Sequence, residues 1–176
     1  LRRSRGLGDV YKRQVNNRLR DDGLIKRVQL DVAGKFYLPK EETEFNERIN
    51  QADLIDDHGS MVIYHGFADE TKKLELFSQA DAFSLPSYYS FEAHPVCLVE
   101  AMAHGLPIIA TRWRILPELF PENYAGLVDV KSPEQIAERI QKFLGCVDST
   151  DLRNRYLRHF TRKVFGEKVR SALLST

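Results

Sequence analysis

From about Val15 onward, short β-rich apolar runs alternate with longer stretches of helical spacing, and that alternation restricts the architectures open to the chain. Parallel strands cannot be joined by a tight hairpin; each needs a crossover, usually a helix, so a strand–helix–strand repeat specifies a parallel sheet between helical layers. Strands are predicted over residues 28–33, 61–64, 82–85, 107–110 and 126–130, and helices over 16–22, 40–52, 69–79, 96–104 and 133–144. Ser132 and Pro133 mark the start of the last of these helices, as N-cap and first helical position. Two further helical stretches, 152–164 and 167–174, follow with no strand after them. The reading is one doubly wound α/β domain, Rossmann-like, with about five strands and C-terminal helices. No internal repeat and no linker rich in Pro, Gly or Ser divides it.

Composition narrows the function classes. A 176-residue chain that is 43% apolar can build a single substantial core, and no apolar run approaches the ~20 residues of a spanning helix. Cys97 and Cys146 have no C-x-x-C spacing and are too few for a disulfide framework, which points to a reducing cytoplasm and buried thiols. Leu1 to Gln14, LRRSRGLGDVYKRQ, has neither helical patterning nor the features of a signal peptide, and it resembles translated sequencing-adaptor sequence. It is read as non-native, leaving 15–176 as the domain. The segment carries five basic residues and one acid, so the remainder has 21 basic and 24 acidic residues, a net charge of −3 in place of +1. Nothing else forms a nucleic-acid footprint. The later cluster of Arg153, Arg155, Arg158, Arg162 and Lys163 recurs at helical spacing and reads as a solvated helix face.

The most informative segment runs from Ser84 to Thr111, SLPSYYSFEAHPVCLVEAMAHGLPIIAT. A strand leads through a polar and aromatic loop into a short helix, opened by Pro95 and stopped by Gly105 and Pro107, and then into a second strand. In an open α/β sheet ligands bind beyond the carboxyl ends of the strands, where a helix N-terminus favours a phosphate or diphosphate. Glu92 stands before that helix, and Glu100 lies five residues past Pro95, roughly 7 to 8 Å further along the axis at ~1.5 Å per residue. Two carboxylates flanking a diphosphate must face hydroxyls, and a nucleotide diphospho-sugar carries hydroxyls at both ends. Spacing alone also allows two ordinary surface glutamates. Glu100 argues against that, because it interrupts the apolar stretch VCLV–AMA with no neighbouring cation.

These residues carry a resemblance that covers nearly everything from Val15 onward. Glu92 and Glu100 match a Glu-x7-Glu motif, followed by the EAMAxGxPIIAT pattern of Glu100 to Thr111. ADAF at Ala80 to Phe83, LPS at Leu85 to Ser87, the glycine after His65, LPEL at Leu116 to Leu119 and the strand at Gly126-Leu127-Val128 match as well. The chain thus resembles the C-terminal, donor-binding half of family 4 glycosyltransferases with the GT-B fold. The resemblance implies a retaining transferase that binds a UDP- or GDP-hexose and passes the sugar to a glycan or lipid-linked acceptor. Glu92 is similar to the catalytic residue that holds donor-sugar hydroxyls near the reacting carbon, and Glu100 to the residue that binds the ribose. Ala93 and His94 would offer backbone N–H groups to sugar and phosphate, whereas Pro95 has none to give and passes the phosphate contacts to neighbours such as Val96. Gly66, Phe67 and Asp69 lie in the turn that matches the family's base-contacting loop. His94, alone among His58, His65, His94, His104 and His159, falls in the proposed cleft, and the resemblance assigns it backbone and packing use rather than proton transfer.

The same resemblance implies no cofactor and no metal, and no His/Asp/Cys cluster has ligand spacing. It also implies an Arg and a Lys that clamp the diphosphate after a first strand, and an acceptor-binding N-terminal domain. Neither can be placed here, and Lys12 and Arg13 in the adaptor-like string are not assigned the clamping role. The chain is therefore expected to be inactive alone. A cytoplasmic location is expected, and attachment at the inner face of the plasma membrane is compatible with lipid-linked acceptors. G-x-G-x-x-G and G-x-x-x-x-G-K-[ST] are both absent, which argues against a dinucleotide oxidoreductase and a P-loop nucleotidase. A non-catalytic nucleotide-sugar-binding module remains the alternative from a different class.

Overall fold

The computed structural model describes residues 28–36, 38–51, 55–56, 59–144 and 150–174. The helix expected over 16–22 and the segment 1–14 lie outside them. In chain order the elements are β1 (Leu30–Val32), α1 (Pro39–Gln51), β2 (Ile55–Asp56), β3 (Gly59–Ser60), β4 (Val62–Tyr64) and α2 (Glu70–Gln79). Then come β5 (Phe83–Leu85), α3 (Val96–Ala103), β6 (Ile108–Thr111), a 3-10 turn (Leu116–Leu119) and β7 (Leu127–Val128). The chain continues with α4 (Pro133–Leu144), α5 (Thr150–His159) and α6 (Arg162–Leu174).

All five expected strands form, and each pairs in parallel, but in two pieces. β1 lies beside β4 with Asp31 opposite Ile63, while β5, β6 and β7 form a separate three-stranded sheet with β6 in the middle. The antiparallel pair β2–β3 was not anticipated: two-residue strands are too short to display an alternating pattern.

The middle strand explains the double winding. All four residues of β6 are buried, and successive side chains point to opposite faces. Ile108 and Ala110 join Leu98, Ala101 and Met102 of α3, Leu116 and Leu119 of the 3-10 turn and Leu152 of α5 in one cluster. Ile109, on the other face, joins Val128 with Ile136 and Phe143 of α4. Helices thus cover both faces of the sheet, which is why the run from Pro107 into β6 reads as the unbroken apolar PIIA. Each buried Ile or Leu contributes about 1.5–3 kcal/mol to this core.

Two glycines are dictated by geometry. Gly105 ends α3 at φ +69°, its N–H donating to the Met102 carbonyl and that of Leu106 to Ala101, the paired closure of a helix stopped by a left-handed residue. Gly126 has no room for a side chain, since a Cβ there would sit 2.0 Å from the Ile108 carbonyl oxygen.

The C-terminal helices break earlier than expected. Thr161 Oγ1 accepts the Val164 N–H, so a cap placed at Thr161 starts α6 at Arg162, and Gly166 is absorbed inside the helix. α5 is anchored by buried Leu152 and by Arg155, which donates to the carbonyls of Leu119 and Glu118. α6 buries no residue.

Candidate functional site

The loop after β5 is held from below. Ser87 is buried, and its carbonyl accepts from the Thr111 hydroxyl at the end of β6. Trp113 Nε1 donates to the Tyr89 carbonyl at 2.8 Å, and the Glu92 N–H donates to that same carbonyl. Ser87 Oγ then donates to Glu92 Oε2 at 2.5 Å. The sheet therefore orients the Glu92 carboxylate through one hydroxyl, a contribution that the LPS motif marked only as a match. Ala93 and His94 are exposed beside it, as are Phe91 and Val96.

Helix α3 starts at Val96 after Pro95, which provides no side-chain cap. In its first turn the Leu98 N–H donates to the Pro95 carbonyl, and without a side-chain cap the end keeps the positive character of a helix N-terminus. Glu100 projects from the middle of α3, and here the sequence expectation needs correcting. The carboxylate does have a cation: Lys73 of α2 reaches Oε1 at 2.5 Å. That residue lies 27 positions upstream, so it is invisible to any reading of local context. The hydrogen bond to Glu100 raises the Lys73 pKa above its ordinary value. Burial pushes the Cys97 thiol up, and the charges of Glu100 and Glu92 add to it.

The expected base-contacting turn follows β4, at the carboxyl end of the β1–β4 pair. His65 Nε2 lies 2.7 Å from Asp31 Oδ1, and the Gly34 N–H donates to the carbonyl of Gly66, whose φ is +65°. Phe67 is exposed, with Lys35 Nζ 4.5 Å from its ring centroid. Asp69 caps α2, its carboxylate accepting the Lys72 N–H at 2.8 Å. Two groups of the predicted residues are thus positioned by named contacts: Glu92 with its loop and Glu100 on α3, and Gly66, Phe67 and Asp69 at the β4–α2 turn. α2 joins the turn to Glu100 through Lys73. His104 stands apart, stacked on Phe77. Among the described residues, no three His, Cys, Asp or Glu side chains stand together in a way that could hold a metal, and no helix is long and apolar enough to cross a membrane.

Parallel strands between helical layers, with a loop of polar and charged side chains at their carboxyl ends, define a Rossmann-like domain of the kind found in GT-B glycosyltransferases. The chain belongs to the glycosyl transferases group 1 family, whose model matches residues 14–158. It is 32% identical over 107 residues to the amylovoran biosynthesis glycosyltransferase AmsK of Erwinia amylovora, covering 58% of this chain and 25% of that protein. The C-terminal domain of a glycosyl transferase group 1 family protein, LpcC of Francisella tularensis, superposes with a TM-score of 0.68 at 20% identity, covering 92% of this chain and 83% of that one. Anabaena Alr3699/HepE, solved in complex with UDP and glucose, superposes with a TM-score of 0.72 at 18% identity, over 97% of this chain but 45% of that one. The chain corresponds to the C-terminal domain of the GT-B fold and spans about a quarter of AmsK.

Proposed function

We propose that this domain binds a nucleotide diphospho-sugar, UDP- or GDP-linked, and that within a complete transferase it presents the sugar for retaining transfer to a glycan or lipid-linked acceptor. The observation that carries the reading is the placement of Glu92 and Glu100 on either side of the uncapped start of α3, in a chain of this family. The solved complex of HepE with UDP and glucose supports a nucleotide-sugar ligand. In this reading the positive end of α3 faces the diphosphate, with the N–H groups of Ala93, His94 and Val96 nearest to it and Pro95 shaping the turn. Glu92, kept in one orientation by Ser87, accepts hydroxyls of the donor sugar beside the reacting carbon, and Glu100 accepts those of the ribose. Gly66, Phe67 and Asp69 border the base. The leaving diphosphate takes the acceptor proton, and no step runs through a metal or cofactor. Residues 15–176 constitute the donor domain, 1–14 are not native to it, and the whole enzyme works in the cytoplasm, against the inner membrane face where its acceptor is lipid-linked.

Calorimetric titration of the chain with UDP-glucose and GDP-mannose, repeated with Glu100→Ala, tests this. Saturable binding of one donor, weakened ten- to a hundredfold in the variant, is expected for loss of hydrogen bonds to a charged acceptor. Folded protein that binds neither donor overturns the reading. Binding with no turnover once a complete chain is assayed would favour a non-catalytic module instead.

A further inference from the structure

We propose that Lys73 is a positioning residue for nucleoside recognition: it fixes the Glu100 carboxylate for the ribose and couples it to the base-contacting turn. The inference rests on the reading of Glu100 given above. Glu100 is the fifth residue of α3 and its side chain is 31% exposed, so without a partner its carboxylate would sample several rotamers at the mouth of the site. Ordering a glutamate side chain on binding costs up to about 2 kcal/mol of rotamer entropy. The Lys73 contact meets that cost before the ligand arrives. It engages Oε1 and leaves Oε2 to accept from a ligand hydroxyl.

The second part follows from where α2 begins. Asp69, in the turn beside Gly66 and Phe67, caps α2, and one turn later the Lys73 N–H donates to the Asp69 carbonyl. The cap, the first helical turn and the Lys73 side chain therefore form one short rigid path from the base-contacting turn to the ribose carboxylate. Its neighbour Lys72 is engaged by Glu75 at 3.0 Å and does not compete for Glu100. Base and ribose are joined by a single bond, so a fixed spacing between the groups that receive them selects for an intact nucleoside.

Titration of the full chain and its Lys73→Met and Lys73→Arg variants with UDP, GDP and 2′,3′-dideoxy-UDP tests the assignment, with thermal unfolding of each variant as a control. Lys73 is 40% exposed, so neither substitution opens the core. Lys73→Met is expected to weaken UDP on the order of tenfold and to leave dideoxy-UDP unchanged, with Lys73→Arg restoring most of the difference. Equal weakening of UDP and dideoxy-UDP would reduce Lys73 to a structural or general electrostatic role and overturn the proposal. So would an unaltered UDP affinity alongside a hydroxyl preference in the unsubstituted chain. If the unsubstituted chain binds neither UDP nor GDP, or does not distinguish UDP from its dideoxy form, the donor-site reading itself fails, and this inference with it.

Discussion

At the residue scale, Tyr124 shows how one side chain can secure a strand. Its hydroxyl accepts the Ile108 N–H at 2.9 Å and donates to the Ile108 carbonyl at 3.0 Å, satisfying both backbone groups at the start of β6. Burial pushes the phenol up from 10.0 to about 12, with the hydrogen bond to Ile108 opposing the shift. Because the folded value lies above the unfolded one, stability is complete below pH 10 and declines as the pH rises toward 12. Tyr124→Phe is expected to cost about 1–3 kcal/mol at neutral pH by leaving the Ile108 N–H unpaired, and to flatten that alkaline decline. Urea unfolding at a series of pH values measures both. None of this was legible beforehand. The sequence places Tyr124 in a loop, and only the fold brings it to a residue 16 positions away.

At the scale of elements, local pattern places most boundaries. The strand runs appear within a residue or two of their expected places, and α3 ends at Gly105 as the Gly–Pro punctuation requires. The break between α5 and α6 was misplaced because a threonine cap at Thr161 is a stronger boundary than a glycine that an exposed helix can carry at a cost of ~1 kcal/mol. The two helices also differ in how they are held. Leu152 of α5 is 1% exposed within the main core, whereas Phe165 of α6 is 70% exposed. Leu152→Ala is expected to cost about 2–5 kcal/mol, and Phe165→Ser to stay within about 0.5 kcal/mol of the unsubstituted chain. Thermal denaturation of the two variants checks the contrast; a large loss at Phe165 would mean that α6 is packed more firmly than its exposure indicates.

At the scale of the whole molecule, site and stability are linked through the sheet. Thr111 ends β6 and Ser87 stands two residues beyond β5, and these two residues with Trp113 hold the loop that presents Glu92. A donor that binds only the folded domain must therefore stabilise all of it, by about 2.7 kcal/mol at a hundredfold excess over Kd. UDP-glucose or GDP-mannose, whichever binds, is expected to raise Tm in proportion to the logarithm of its concentration; a Tm independent of donor, in protein that binds it, would mean that the unfolded chain binds equally well. The amino-acid sequence by itself determined the order and type of the parallel elements and the two glutamates of the motif, because periodicity, turn residues and motif spacing act over a few residues along the backbone. Only the tertiary structure decided that the strands lie in a pair and a triplet, that Tyr124 closes β6, and that Glu100 is paired with Lys73. Those contacts span 16 to 32 residues, and a crossover connection can bring such partners together without leaving any local pattern that announces it.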